Sequence, residues 1–445
     1  MIYTYAHYFS ALNVFLFIVF AFIFNALYKK KNVKIKKEYV KYFNRNILLK
    51  YLLVLLFAFY YVFIVGGGDT VAYWEGAICM NNLFWKSPSM FVEELFNTPT
   101  LEMSWRHFDN DITGYPPGWI YREPESWFIA KICTLISFFA FKSYLVASAF
   151  FAFILSLASW RLFEFVVDLK LHQLKYAAFA VLFVPSVIFW SSGVTKDTVV
   201  LISTIFIVVL LFELILGKNK EQSVKKKVLI ISFYCFLLFH TRDFMLSVLG
   251  VGFMVVLMAR LANKYREKPF AFYTLRVLTI VIGLFVFISQ GSSLAESDQV
   301  KAAEVMQKDF QNNETYEGAK YSIGVSEFTN SGLMKAFVPA VIAGIYRPFI
   351  WEGLSPSLIF NGLESLYFFY LTWLFIKKDF LKKVKLVRQS EFLVFAFIFS
   401  ILLAFMVGLT SGLLGVLVRF KAPLLSFFLL ILTVDIPNSL IDNKK

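Results

Sequence analysis

Three consecutive glycines, Gly66, Gly67 and Gly68, run directly into Asp69 at the end of a long apolar stretch. Glycines let a chain turn sharply out of a helix. A carboxylate placed there sits at lipid headgroup depth, partly stripped of water, with a raised pKa suited to taking a proton from a hydroxyl. The same aspartate would also serve as an N-cap for a helix through Tyr73, Trp74 and Glu75. Lys196 and Asp197 close the stretch Pro185-Ser186-Val187-Ile188-Phe189-Trp190-Ser191-Ser192-Gly193-Val194-Thr195-Lys196-Asp197-Thr198. Gly193 supplies a turn, Asp197 or Thr198 caps the next helix, and that helix's dipole helps Lys196 hold an anion; a purely structural Lys–Asp pair accounts for the same residues. Arg419 and Lys421 stand between two late apolar runs. Together they suit a phosphate or pyrophosphate, Arg as a two-pronged fork and Lys as a point charge, with anionic lipid as the competing ligand. Arg347, beside Phe349 and Trp351, extends the same basic wall, and Glu352 joins or neutralises it. Arg242, in His240-Thr241-Arg242-Asp243, either adds to the wall or pairs with Asp243.

The elements that must hold these groups follow from composition. The chain has 445 residues, 59% of them hydrophobic and 54 of them Phe, with a mean hydropathy of +0.67. That is far more apolar surface than a soluble core of this length needs, so the fold class is all-α, a polytopic transmembrane helix bundle. A net charge of +14 is then the cytoplasmic collar of such a bundle rather than a nucleic-acid footprint. Cys79, Cys133 and Cys235 are too few and scattered for a disulfide framework, and the four dispersed histidines give no zinc spacing.

A crossing needs roughly 20 apolar residues. By that measure about eleven fit: 8–28, 47–65, 143–166, 176–192, 198–216, 228–240, 244–259, 276–290, 356–376, 392–411 and 422–436. The basic connections 29–46, 217–227, 260–275 and 377–391 must share one side. They do so only if 126–142 does not cross. Ser126, Lys131, Thr134, Ser137 and Lys142 fall on one helical face, which predicts an interfacial amphipathic helix on the outer surface. Pro339, Arg347, Pro348 and Glu352 interrupt 336–353, which predicts a non-crossing or re-entrant element. The whole chain, 1–445, is thus a single transmembrane domain with two large outer segments, 66–142 and 291–355. The charges singled out above fall near outer helix ends. Ionisable groups at membrane depth cost about 2.5–3.5 kcal/mol each on insertion scales, so such a set points to a functional site, with snorkelling to water or pairing with neighbours as the alternative.

This layout resembles the membrane glycosyltransferases of the GT-C superfamily, such as protein mannosyltransferases and lipid A aminoarabinose transferases. The likeness rests on Asp69 with Tyr73 just after an early span, on Tyr121-Arg122-Glu123-Pro124 opening the helix from Ser126, and on Pro185 to Asp197. The strings around Pro185–Thr198, Arg347–Glu352 and Leu417–Lys421 also look like those of a group of bacterial envelope membrane proteins. Many of the transferases carry two adjacent acidic residues where this chain has Asp69 followed by Thr70. The resemblance implies inverting transfer of a sugar from a polyprenyl-phosphate donor to a glycan, lipid or protein acceptor, on the extracytoplasmic face of a bacterial cytoplasmic membrane. Asp69 would deprotonate the acceptor hydroxyl, while Lys196, Arg347, Arg419 and Lys421 would hold the departing phosphate. Tyr73, Arg122, Arg242 and Glu352 complete the substrate-binding set. Asp197 would position the acceptor or a divalent cation, no other cofactor being implied.

Two other activities fit the same sequence. One is an oligosaccharide repeat-unit polymerase using polyprenyl diphosphate. The other is a flippase or transporter of lipid-linked oligosaccharide, which predicts charges or broken helices near the membrane midplane and often two related halves. Polar groups at the outer ends and no evident halves favour the enzyme.

Overall fold

The computed structural model describes residues 5–31, 35–218, 223–264, 318–324, 330–353 and 355–435, with a few isolated positions between 274 and 312. Among the described residues all regular structure is helical apart from one isolated bridge, Lys320 to Leu413. The chain divides into two compact units, Met1–Leu162 with Ile188–Asp243, and Phe163–Val187 with Phe244–Lys445.

The first unit starts with α1 (Ala11–Lys31) and α2 (Val40–Phe59), the latter widening into a π-helical turn, Tyr60–Val65. Five helices follow: α3 (Asp69–Lys86), α4 (Pro88–Phe96), α5 (Leu101–His107), α6 (Gly118–Arg122) and α7 (Pro124–Ser137). Then come α8 (Tyr144–Asp168), which passes into the second unit at Phe163, and, after an excursion there, α11 (Lys196–Ile215) and α12 (Val224–Thr241). In the second unit lie α9 (Leu174–Leu182) and the start of α10 (Pro185–Trp190), then α13 (Phe244–Lys264) and α14 (Asn330–Tyr346). It ends with α15 (Pro356–Lys377), α16 (Phe380–Gln389), α17 (Glu391–Thr410), α18 (Leu414–Phe420) and α19 (Ala422–Leu432).

Among the described residues seven helices are long and apolar enough to cross a membrane, and the pair α18 and α19, bent by 63°, makes up to eight. The span expected over 176–192 is instead two short helices broken ahead of Pro185, because proline lacks the N–H that would continue the ladder. The segment 228–240 lies inside α12, whose first turns carry Lys225, Lys226 and Lys227. The crossing expected over 276–290, and most of the outer segment from 291, lie outside the described residues.

Polar residues within the apolar helices act as clasps. In the first unit, Asn46 Nδ2 donates to Tyr28 Oη at 2.9 Å and to the Ser156 carbonyl at 3.0 Å, and Lys50 Nζ donates to Asn46 Oδ1 and, at 3.2 Å, to Ser159 Oγ. That network ties α1, α2 and α8 together, the use of side-chain hydrogen bonds expected where lipid offers no partners. Nearby, Glu213 accepts from Arg161 at 2.7 Å and faces Lys227 Nζ at 3.1 Å.

The amphipathic helix expected over 126–142 is observed as α7, but the hydroxyls of its polar stripe are turned inward, while Lys131 is half-buried and Lys142 exposed. Ser126, Thr134 and Ser137 are buried against α3, where Ser137 Oγ accepts from Asn81 Nδ2 at 2.8 Å. Leu135 of α7, and Phe138 and Phe139 just after it, are among the exposed side chains. Packing against α3 covers these hydroxyls together with the apolar Trp127, Ile129, Ala130, Cys133 and Ile136.

The loop after α5 is held by Asp109, whose Oδ2 meets Lys86 Nζ at 2.6 Å and whose Oδ1 accepts from the amides of Ile112 and Thr113 at 2.7 and 3.2 Å. The Lys86 hydrogen bond first, and those amides next, hold the Asp109 carboxyl far below its usual range. A depressed carboxylate adds stability above its unfolded pKa of about 3.9 and loses it as pH falls through the folded value. Amide protection at Ile112 and Thr113, corrected for intrinsic exchange, should therefore hold down to about pH 4 and decline only below it. In Asp109→Asn that acid-linked decline should vanish.

In the second unit α14 and α17 cross with backbones almost touching. A Cβ on Gly344 would lie 2.2 Å from the Ala404 carbonyl oxygen, and one on Gly408 would lie 2.0 Å from that of Ala340. Small residues spaced by four on both helices permit this approach. Gly408→Leu must push the helices apart, because its neighbour is backbone rather than a movable side chain. We expect a loss of about 1–3 kcal/mol or more, read as a lower thermal midpoint of the purified protein.

Candidate functional site

The pairings Gly344 with Ala404 and Ala340 with Gly408 run the two helices antiparallel, so α14 ends beside the middle of α17, about 15 Å from either end. There the chain turns through a cis Arg347–Pro348 bond and a short helical turn, Ile350–Glu352, before α15 begins. Lys421, at the bend between α18 and α19, reaches this turn. It is fully buried, and its ammonium donates to the Arg347 carbonyl at 2.7 Å, the Ser365 hydroxyl at 3.3 Å and the Ile345 carbonyl at 3.5 Å. Its three N–H groups are thus directed at protein oxygens. The phosphate-gripping role expected of Lys421 is replaced by fastening a broken helix at mid-depth.

Beside it lies Glu364, which the sequence did not single out. Its Oε1 accepts from the Ser186 amide at 3.2 Å, while Glu364 Oε2, Asn361 Oδ1 and Ser186 Oγ are buried without a hydrogen-bond partner. Asn361, Glu364 and Ser365 share one face of α15. These polar groups are well inside the bundle, not at an outer helix end. Arg347 pairs with Glu352 Oε1 at 3.0 Å, stacks 4.9 Å from the centre of the Tyr321 ring and donates to the Ser322 carbonyl at 3.2 Å. Glu352 thus neutralises Arg347, and also accepts from the Phe349 amide at 2.8 Å. Arg419 is half-buried in the last turn of α18.

In the first unit, the ends of α2, α11 and α12 define one face. Lys227 at the start of α12 meets Glu213 near the end of α11, and at the far end Arg242 meets Asp197. Gly193, just before α11, packs against Phe57 of α2, since a Cβ there would lie 2.2 Å from the ring. The turn after α2 therefore belongs to the end remote from the basic loops. Gly66, Gly67 and Gly68 have φ of +74°, +132° and +83°, values that side chains with a Cβ rarely adopt. They deliver Asp69 as the first residue of α3, half-buried, with Gly68 at the cap position and no capping bond from a side chain. The N-cap alternative for Asp69 is thereby replaced by a carboxylate in the first helical turn, where the amides and dipole favour negative charge. The next residue, Thr70, is anchored by a 2.8 Å hydrogen bond to Tyr144 Oη. Tyr73, expected at the substrate, is buried in the core.

Lys196 and Asp197 open α11, but the cap is Thr195, whose hydroxyl accepts from the Thr198 amide at 3.1 Å. Asp197 is buried and its Oδ1 accepts from Arg242 at 2.7 Å. Lys196 Nζ stands 3.5 Å from both Glu123 Oε2 and Glu125 Oε2. Those two glutamates and Arg122 are exposed. The sequence thus gathers Arg122, Glu123, Glu125, Lys196, Asp197 and Arg242 at one place, as half-accessible cations and acids beside a buried ion pair. A further acid, Glu75 on α3, was missed. Burial raises its carboxyl above the usual range, opposed by the charge of His7 and a hydrogen bond from Tyr5. The Tyr5 ring in turn lies against Gly67.

Among the described residues no group of three or more His, Cys, Asp or Glu is placed to hold a metal. Asp197, the residue considered for a divalent cation, instead faces a guanidinium. A single carboxylate already paired with a guanidinium does not fit a metal. Comparison with family models, with curated proteins and with solved structures returned no match to the chain.

Proposed function

We propose that the protein is a membrane glycosyltransferase that moves a sugar from a polyprenyl-phosphate donor to an envelope glycan, lipid or protein acceptor at the outer face of a bacterial cytoplasmic membrane. The observation that carries the reading is the glycine-built turn presenting half-buried Asp69 at the same end of the first unit as Lys196 and exposed Arg122. In this reading Asp69 takes the acceptor hydroxyl proton, the acceptor oxygen bonds to the sugar's anomeric carbon, and the bond from that carbon to the phosphate oxygen breaks. The phosphate leaves with the electron pair. Lys196 and Arg122 stabilise that developing charge. Lys421 is left out, and Asp197 with Arg242 shapes the site rather than touching substrate.

The test is reconstitution in liposomes with a radiolabelled polyprenyl-phosphate hexose and a polyprenyl-linked glycan acceptor. Label should move to the acceptor and free polyprenyl phosphate should appear. A correctly folded protein that leaves the donor intact with glycan, lipid and peptide acceptors alike would remove the reading.

The mid-depth group of Lys421, Glu364, Asn361 and Ser186, set among broken helices, favours a second reading, a transporter of lipid-linked saccharide. It predicts that cells lacking the protein accumulate lipid-linked precursor on the inner leaflet, whereas the transferase predicts unused donor on the outer one.

A further inference from the structure

The helix α16 joins two candidate spans, α15 and α17, so it lies where the chain turns round at the membrane surface. Its two neighbours leave the bilayer at the same side, the one that carries the basic connections. From Lys377 to Arg388 the chain has Lys377, Lys378, Lys382, Lys383, Lys385 and Arg388 against the single carboxylate of Asp379. That carboxylate meets Lys382 Nζ at 2.7 Å, which leaves a large surplus of cations.

The helix is sided. Leu386 is buried toward the bundle, while Leu381 is 80% exposed and Phe380 is 43% exposed. Lys378, Lys385 and Arg388 are exposed as well. Lys377 Nζ sits 4.4 Å from the centre of the Trp373 ring, an aromatic at the end of its span as interfacial anchors are. A short basic helix with outward Leu and Phe, pinned at the surface by spans on both sides, matches a layer of anionic headgroups over acyl chains in charge and in polarity.

We propose that α16, with the last turn of α15, is a docking surface for anionic phospholipid of the leaflet on the basic side. Lys378, Lys385 and Arg388 contact the phosphodiester groups, and Leu381 and Phe380 enter the acyl layer. This assignment is independent of any transfer or transport activity.

The experiment uses the full-length protein in neutral detergent and follows its thermal midpoint during titration with phosphatidylglycerol, phosphatidylcholine or inorganic phosphate. Phosphatidylglycerol should raise the midpoint, and the other two should not. Each surface cation contributes about fivefold to such binding. Lys378→Gln/Lys385→Gln/Arg388→Gln should therefore shift the phosphatidylglycerol titration by on the order of a hundredfold. Leu381→Ser, which keeps every charge, should weaken it severalfold through the lost acyl contact. Equal stabilisation by the two lipids, protection by phosphate alone, or a triple variant that titrates like wild type would each overturn the proposal. A triple variant that fails to fold leaves the lipid comparison on wild type and Leu381→Ser to decide.

Discussion

Asparagine in place of Asp69 is expected to lower the proposed glycosyl transfer by about 10²–10⁴-fold, the usual contribution of a positioned general base, the role proposed for this carboxylate. The amide keeps the size and the hydrogen-bonding shape of the carboxylate but cannot take the acceptor's proton. Gly68 rather than Asp69 holds the cap position of α3, so the helix keeps its start in the variant. Donor affinity, which the proposed reading assigns to the cations, should change little. Asp69→Glu keeps the base but moves it by one methylene and should recover part of the rate. Product formation in the liposome assay, normalised to inserted protein, checks both variants. Equal rates for wild type and Asp69→Asn would assign the carboxylate no part in the chemistry.

The second large effect is on stability. Asp197→Ala leaves the Arg242 guanidinium inside the protein without the carboxylate 2.7 Å away. Removing one partner of a buried pair costs about 3–5 kcal/mol, whereas replacing both with apolar groups of similar volume is often neutral. Asp197→Ala should therefore lower the thermal midpoint sharply, and Asp197→Leu/Arg242→Met should restore most of it. The double variant also separates two roles. If Asp197 positions the site without touching substrate, the repacked protein keeps measurable transfer with a raised KM. If the carboxylate contacts the reacting groups, stability returns and transfer does not.

Much of the architecture was legible because long apolar runs and basic loops are imposed by the bilayer itself. The ends of α8, α11, α15 and α17 fall close to the expected boundaries, whereas α2 starts at Val40, well ahead of 47. The turn at Gly66 to Asp69 was legible for the same kind of reason, since three glycines in a row have few other uses. The rest depended on tertiary partners. The inward turn of Ser126, Thr134 and Ser137 follows from α3 packing on α7, which no helical wheel contains. The depth of Lys421 was hidden because Leu414–Phe420 reads as a link between spans, while it folds as half of a bent helix that carries the lysine inward. Glu75 and Glu125 gave no signal as single acids, and their partners Tyr5, His7 and Lys196 are far away in sequence.

The orientation and occupancy of the Asp69 turn can be measured together. In a protein whose Cys79, Cys133 and Cys235 are replaced by alanine, Asp69→Cys is exposed to a membrane-impermeant maleimide on intact spheroplasts, with and without added polyprenyl-phosphate sugar. The account predicts labelling from outside that the donor slows. Labelling that requires permeabilised cells, or that proceeds at the same rate with donor present, would contradict it.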